Sequence, residues 1–301
     1  MKGMFLTTEH ALICNKLYGG ISSLKGQWFI SGYSSHPNIK YIMSTVIYPS
    51  PIFGPVHSRR LGVSLGINLM PADGKICTFD CIYCECGFNA DHRPRLHRPT
   101  REEVREKLEQ QLVKMAGEGR LPDVLTFAGN GEPTAHPDFK AIIEDTIQLR
   151  NRHCPEARVS VLSNATLAAK PSVREALLMV DNNILKLDTV NAEYIRRVNA
   201  PTGHYDVGEV VEALKSYHGH VIIQTMFMKG RDMHGVSVDN TGEEYVGPWI
   251  EAVKAIAPQS VMVYTIDRET PDQALLKATH EELDAIVARV KACGIPASAS
   301  Y

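Results

Sequence analysis

Cys77, Cys81 and Cys84 stand in a C-x3-C-x2-C pattern, with an aromatic ring, Tyr83, immediately before the last of them. Three thiolates within eight residues can hold one metal centre from a single short loop. Four-iron clusters are held by cysteines at this kind of close spacing. Three protein donors leave one iron of such a cluster open, which is what a reactive cluster needs and a structural one does not. The chain has seven cysteines (Cys14, Cys77, Cys81, Cys84, Cys86, Cys154 and Cys293), an odd number with four packed into ten residues. That distribution argues against a disulfide framework and for metal binding in a reducing compartment. Zinc is the alternative on spacing alone, because Cys86 follows Cys84 by two residues and His92 and His97 are within reach. A tetrahedral zinc site, however, usually pairs two C-x2-C knuckles or adds a Cys/His half.

A second segment carries chemistry of another kind. The apolar run from Leu125 to Ala128 ends in Gly129-Asn130-Gly131-Glu132-Pro133, the pattern of a buried strand entering a glycine-rich turn. Glycine lets the backbone approach a ligand closely. Glu132 adds a carboxylate at the strand's C-terminal end, and a carboxylate with exposed carbonyls suits an ammonium group such as an amino acid's amine. An ordinary strand-to-helix turn is the other reading of the same residues.

The cysteine triad with Tyr83, followed by the Gly-Glu-Pro turn at 131–133, resembles the radical S-adenosylmethionine (radical SAM) superfamily over residues 54 to 301. The resemblance implies that Cys77, Cys81 and Cys84 bind a 4Fe–4S cluster whose fourth iron is chelated by SAM. It also implies that the turn contacts the methionine amine, and that Ser163 and Asn164 meet the SAM ribose or carboxylate. More narrowly, Gly54-Pro-Val-His-Ser-Arg-Arg-Leu-Gly62, Cys77 to Gly87 and Gly129 to Pro137 resemble bacterial relatives of the tRNA wyosine-base (imidazoguanosine) synthase. The family's reaction would be reductive homolysis of SAM, after which the 5′-deoxyadenosyl radical abstracts hydrogen from a substrate in the barrel mouth. A one-electron donor such as a flavodoxin follows from the same resemblance.

The elements that must position these residues alternate. Apolar strand candidates are Val63–Leu69, Val124–Ala128, Val159–Leu162, Ile184–Thr189, Val221–Met228 and Val261–Ile266. Five helix candidates open with capping boxes: Thr100/Glu103, Ser172/Glu175, Asp206/Glu209, Thr241/Glu244 and Thr279/Glu282. In the last, Leu283, Ile286, Val287 and Val290 share a face, and Gly294 and Pro296 are stop signals. Pro248 predicts that the fifth helix begins or kinks near Gly247. Repeated βα units imply an α/β fold with mostly parallel strands, closed or nearly closed. Six strands are too few for an eight-fold barrel, in keeping with the partial (β/α)6 TIM-type barrel that the resemblance implies.

Chemistry in such barrels sits at the C-terminal ends of the strands. On Ile184-Leu-Lys-Leu-Asp188, Lys186 and Asp188 share a face by the period of two. Facing inward, the pair would serve catalysis by binding substrate or a ribose hydroxyl; as a structural ion pair it would do neither. Ser163 and Asn164 end the third strand and read equally as turn residues. Gln224 is polar inside an apolar strand and would hydrogen-bond a ligand or a buried neighbour. Tyr264 and Thr265 end the last strand, beside an adenine or in the core. His57, Arg59 and Arg60 precede the first strand, and residues 92–101 hold four arginines and two histidines. Such basic density suits a phosphate-bearing partner, including RNA, or a small-molecule substrate; a solvated loop without aromatics is the plainer reading.

At 301 residues, 44% hydrophobic and 22% charged, the chain can bury a large core in one barrel-sized domain. A net charge of −2 provides no global pull on nucleic acid. No stretch approaches the ~20 apolar residues of a membrane span and no signal layout opens the chain, so a cytoplasmic protein without a membrane is expected. Residues 1–42 carry turn formers without periodicity and are expected to be a poorly ordered extension, a candidate upstream mis-start, before a domain at 43–301. No second cysteine cluster follows the barrel, against the family branch with auxiliary clusters. Three readings stand: a nucleoside- or tRNA-modifying enzyme, an activase that installs a radical on a partner enzyme, and a metal-stabilised binding protein. Cys86 lies outside the triad's spacing and is expected not to ligate iron.

Overall fold

The structure, a computed structural model, describes residues 21–24, 27–30, 45–58, 62–268 and 270–301. The chain falls into two units, Met1–Ile42 and Met43–Tyr301. In the first, β1 (Ile21–Leu24) and β2 (Gln27–Ile30) pair antiparallel. Beyond this hairpin the expected poor order of residues 1–42 falls outside the described residues, as do Arg59 and Arg60.

The second unit contains β3 (Ile52–Ser58), β4 (Gly62–Ile67), β5 (Val124–Phe127), β6 (Arg158–Ser163), β7 (Asn182–Lys186), β8 (Ile222–Met226), β9 (Met228–Gly230), β10 (Ser260–Tyr264), β11 (Leu275–Lys277) and β12 (Ala297–Ser300). Eight of these form one sheet in the order β12-β10-β8-β7-β6-β5-β4-β3, parallel except for β3 against β4. Helices α1 (Arg101–Gly117), α2 (Phe139–His153), α3 (Pro171–Met179), α4 (Val207–Lys215), α5 (Glu243–Ile256) and α6 (His280–Ala292) return the chain after β4, β5, β6, β7, β8 and β10. The six strands read from apolar runs are therefore the six βα units of a partial barrel. β3 and β12 are its two edges, and the sheet does not close between them.

Alternation along each strand divides the sheet into two faces. Leu65, Ile67, Leu125, Phe127, Val159, Val161, Leu185, Ile223, Val261 and Val263 pack under the helices in the main core. Their alternates turn the other way and line a cleft. The edge strands escape sequence reading for chemical reasons. β3 contains Gly54-Pro55, a turn signal, and a register shift between Phe53 and Val56; proline is tolerated there because an edge strand leaves one row of amides unpaired. β12 reads Ala-Ser-Ala-Ser, without the branched side chains that mark strands.

Full capping boxes form at Thr100/Glu103 and Thr279/Glu282. Asp206 accepts from the Glu209 amide, while the Glu209 carboxylate lies 3.5 Å from His204. The two remaining boxes are absent. α3 starts with Pro171 at its first position and Glu175 pairs with Lys140 at 2.6 Å, so Ser172 lies inside the helix. The Thr241 hydroxyl donates to Asp239 at 2.7 Å, leaving Gly242 to start α5. α5 then runs through Pro248 instead of beginning near Gly247. Glu244, whose carbonyl loses its partner, and Pro248 are both exposed, so water can take the missing bond.

Candidate active site

The cysteine loop lies in the long connection between β4 and α1, at the C-terminal ends of the strands. It is held from two sides. Ile76 bridges to Gly131, with its amide donating to the Asn130 carbonyl at 3.0 Å and its carbonyl accepting from the Glu132 amide at 3.2 Å. Gly131 has φ +140°, and a Cβ there would stand 1.8 Å from the Ile76 carbonyl oxygen, so only glycine fits. Opposite, a π-helical turn at Ile195–Asn199 accepts the Asp80 and Ile82 amides at 2.9 and 3.0 Å. Inside the loop, Asn89 accepts from the Cys77 amide at 3.0 Å and donates to the Cys77 and Phe79 carbonyls, both at 3.2 Å.

Two of the three sulfurs meet a side-chain N–H: Asn164 Nδ2 lies 3.6 Å from Cys77 Sγ and Asn199 Nδ2 lies 3.6 Å from Cys81 Sγ. The third, Cys84, feels the charge of the buried Lys75 ammonium. Burial pushes Cys77 up to about 12 and Cys81 up to about 11. Cys84 is held down at about 6 by the Cys86 thiol and, against burial, by Lys75. Burial opposes the charge of Lys75, yet Cys84, Cys77, Cys81 and Asp80 together raise its pKa. Cys86 sits between Cys84 and the Gly129 carbonyl, 3.5 Å from the latter. Among the described residues, no three His, Cys, Asp or Glu side chains converge as a single metal ion requires. Thiol donors spread along a short loop, two of them bonded to an amide N–H, fit a multi-iron cluster.

A cleft of about 540 Å³ opens beside Cys84. Its floor is the inner face of the sheet: Ser64, Thr126, Leu162, Ile184, Gln224 and Met262. Tyr83, Lys186, Gly129 and Gly131 form the wall beside the cysteine loop. The Lys186 ammonium donates to the Tyr83 hydroxyl at 2.8 Å and the Tyr264 hydroxyl at 3.2 Å, and lies 3.6 Å from Asp188 Oδ2. Asp188, just behind the wall, accepts from Tyr83, from Asn199 at 2.8 Å and from the Met226 amide at 2.9 Å. Burial works against the Lys186 charge, but Asp188 above all more than offsets it and the pKa is raised. Burial, then Asp188, raise Tyr83 well above the phenol range.

The structure thus brings Tyr83, Cys84, Gly129, Gly131, Lys186, Gln224, Tyr264 and Thr265 to one cleft. It turns other candidates into the protein. Asn130 spends its amide on the Tyr48 and Pro71 carbonyls and accepts from the Tyr48 amide at 2.7 Å. The Glu132 carboxylate accepts from Thr134 and from the Asn164 amide at 2.7 Å, which offsets part of the rise that burial imposes on its pKa. Ser163 accepts from the Ala165 amide, Asn164 bonds Thr78 and Thr166, and Pro133 starts a buried turn. These residues brace the cysteine loop from beneath. In the basic segment, Arg101 is spent on Asp145 and Arg98 donates to the Ala135 carbonyl, while Arg93, Arg95 and His97 are exposed and none of the segment lines the cleft. Sequence reasoning missed Lys75 and Asn199. Lys75, two residues before Cys77, was open to notice as a charge beside thiols; Asn199, 118 residues from Cys81, had no local signal.

A family profile described as the Radical SAM superfamily matches residues 73–238. The chain belongs to the radical SAM superfamily. Members use a 4Fe–4S cluster with SAM, and the thiol loop described above fits that cluster. Among curated proteins, a protein named GTPase Obg from Brachyspira hyodysenteriae is 29% identical over 77% of this chain and 32% of its own length. UPF0026 protein MJ1312 from Methanocaldococcus jannaschii is 31% identical over 64% of this chain and 58% of its own. The chain therefore spans about a third and somewhat over half of these relatives. Among solved structures, a radical SAM methyltransferase from Sphaerobacter thermophilus superposes with TM-score 0.57 at 14% identity, covering 79% of this chain and 66% of that one. Streptococcus suis SuiB bound to S-adenosylmethionine gives 0.56 at 12% identity, covering 78% and 50%. At such identities the likeness is one of fold.

Proposed function

We propose that this chain is a radical SAM enzyme that cleaves SAM in the cleft beside Cys84 and draws hydrogen from a nucleoside unit of RNA. The observation that carries this is the meeting of the N–H-bonded thiol loop with a roomy cleft at the C-terminal ends of parallel strands. Cys77, Cys81 and Cys84 would hold the cluster, which with SAM supplies one-electron bond cleavage and hydrogen abstraction. The chain's residues bind, orient and exclude water. Gly129 and Gly131 bring bare backbone to the cleft wall, where carbonyl oxygens can meet the ammonium of an amino acid. Gln224 lies between Lys186 and Met262 in the row across β7, β8 and β10, and offers an amide edge to a base. Leu162, Ile184, Met226 and Met262 keep that region dry, and Asp188 fixes the orientation of Lys186 and Tyr83.

A floor without a charged group suits an uncharged reacting moiety such as a nucleobase. The barrel's open side leaves room for a substrate larger than the cleft, and exposed Arg93, Arg95 and His97 are available to its phosphates. The likeness of the three motif segments to relatives of the wyosine-base synthase points to the same substrate class. No helix among the described residues is long and apolar enough to cross a membrane. A reducing cytoplasm and a donor such as a flavodoxin complete the reading.

Protein reconstituted without oxygen, then given dithionite and SAM, should form 5′-deoxyadenosine, and its absence would reject the catalytic reading. A gene deletion followed by mass spectrometry of tRNA nucleosides tests the substrate: an unchanged profile removes RNA.

A further inference from the structure

Two of the three sulfurs meet neutral amides; the third lies near a full charge. The Lys75 side chain is 1% exposed, and its ammonium donates to two acceptors of the cysteine loop, the Gly87 carbonyl at 2.5 Å and Asp80 Oδ1 at 3.3 Å. Its partner Asp80 is 25% exposed and also accepts from the Asn89 amide at 2.8 Å, so the cation lies inside and its counter-charge toward solvent. A cation this deep is expensive to bury and is screened little by salt, so its field falls on what is nearest. What is nearest is the ligand loop.

We propose that Lys75 sets the electron affinity of the cluster, its ammonium favouring the reduced over the oxidised form and Asp80 tempering that effect. The proposal rests on the assignment of the three cysteines as cluster ligands. Reduction adds one negative charge to the cluster, and a fixed positive charge beside it stabilises the product of that step more than the reactant. Hydrogen bonds to cluster sulfurs and nearby net charge are recognised levers on potential. Lys75 is a positioning and tuning residue, since it is bonded within the cysteine loop and not to substrate.

The test is a redox titration of the full-length, anaerobically reconstituted protein without SAM, followed by electron paramagnetic resonance. Lys75→Gln should lower the equilibrium constant for one-electron reduction about tenfold, a fall of about 59 mV. Asp80→Asn removes the counter-charge while keeping an acceptor for Asn89, and should shift the midpoint the opposite way. Unchanged midpoints in iron-loaded variants, or shifts of the same sign, overturn the proposal. If Lys75→Gln takes up no iron, Asp80→Asn decides by itself, and a midpoint that does not rise is fatal. Wild-type protein that assembles no four-iron cluster would show this in iron content and spectrum before any titration, and would sink the cysteine assignment together with the proposal.

Discussion

Cys86 lies against Cys84, yet its surroundings differ from those of the three triad sulfurs. Cys77 and Cys81 each receive an amide N–H and Cys84 feels the Lys75 charge, whereas Cys86 is itself placed to donate, toward the Gly129 carbonyl at 3.5 Å. A sulfur that needs its proton is a poor iron ligand. Cys86→Ser should therefore keep full iron content after reconstitution, while Cys77→Ser, Cys81→Ser or Cys84→Ser should lose the cluster's visible absorbance. Glu132 is a second instance of a side chain whose role its neighbours decide. With its oxygens accepting from Thr134 and Asn164, Glu132→Gln sets an NH2 against donors. That should destabilise the fold by about 1–3 kcal/mol in urea denaturation, with no change in the net number of cysteines available to iron.

Among the elements, α1 and α2 are joined by charge as well as by apolar packing. Arg101 grips Asp145 through two bonds of 2.7 and 2.9 Å, and Arg105 adds a third at 2.9 Å. The Arg101 hydrogen bonds, against a smaller effect of burial, hold the Asp145 carboxyl below its usual range. A carboxylate depressed in the fold contributes stability above its unfolded pKa and loses it as pH falls through the folded value. Asp145→Asn should therefore be less stable than wild type by about 2 kcal/mol near neutral pH. The two proteins should converge as the pH drops below the ordinary aspartate range, as thermal melts across pH can show. The cysteine loop depends on a different joint. Gly131→Ala drives a methyl into the Ile76 carbonyl and should release the loop from the β5 turn, giving folded protein, by circular dichroism, that takes up little iron.

For the molecule as a whole, the open sheet and the two-unit division make separate demands. Every described residue of the cleft and of the cysteine loop belongs to Met43–Tyr301. Protein beginning at Met43 should accordingly retain its cluster spectrum and form 5′-deoxyadenosine at the full-length rate; a tenfold loss would show that the first unit serves the site. At the mouth of the cleft, Arg268 reaches the Tyr48 hydroxyl at 2.9 Å and Glu85 at 2.7 Å, linking the segment after β10 to the cysteine loop. Both charges are about half exposed, so the bridge contributes at most about 1 kcal/mol to stability.

Much was legible in the chain as written. The cysteine loop proposed to bind the cluster is local, because three thiols within eight residues need no folding to be found together. The six inner strands announce themselves by apolar runs, and the caps at Thr100 and Thr279 by their own four-residue signatures. What lies on the inner face followed from alternation, as with Lys186 and Gln224. Only the tertiary structure decided which polar side chains are free to work. In the fold, Asn130, Glu132 and Asn164 are engaged by protein partners that no local pattern announces. Asn199 acquired its meaning when a distant segment closed on Cys81. A residue type announces what bonds it can make, but hydrogen bonds are short, so which of them it makes depends on neighbours that only the packed chain supplies.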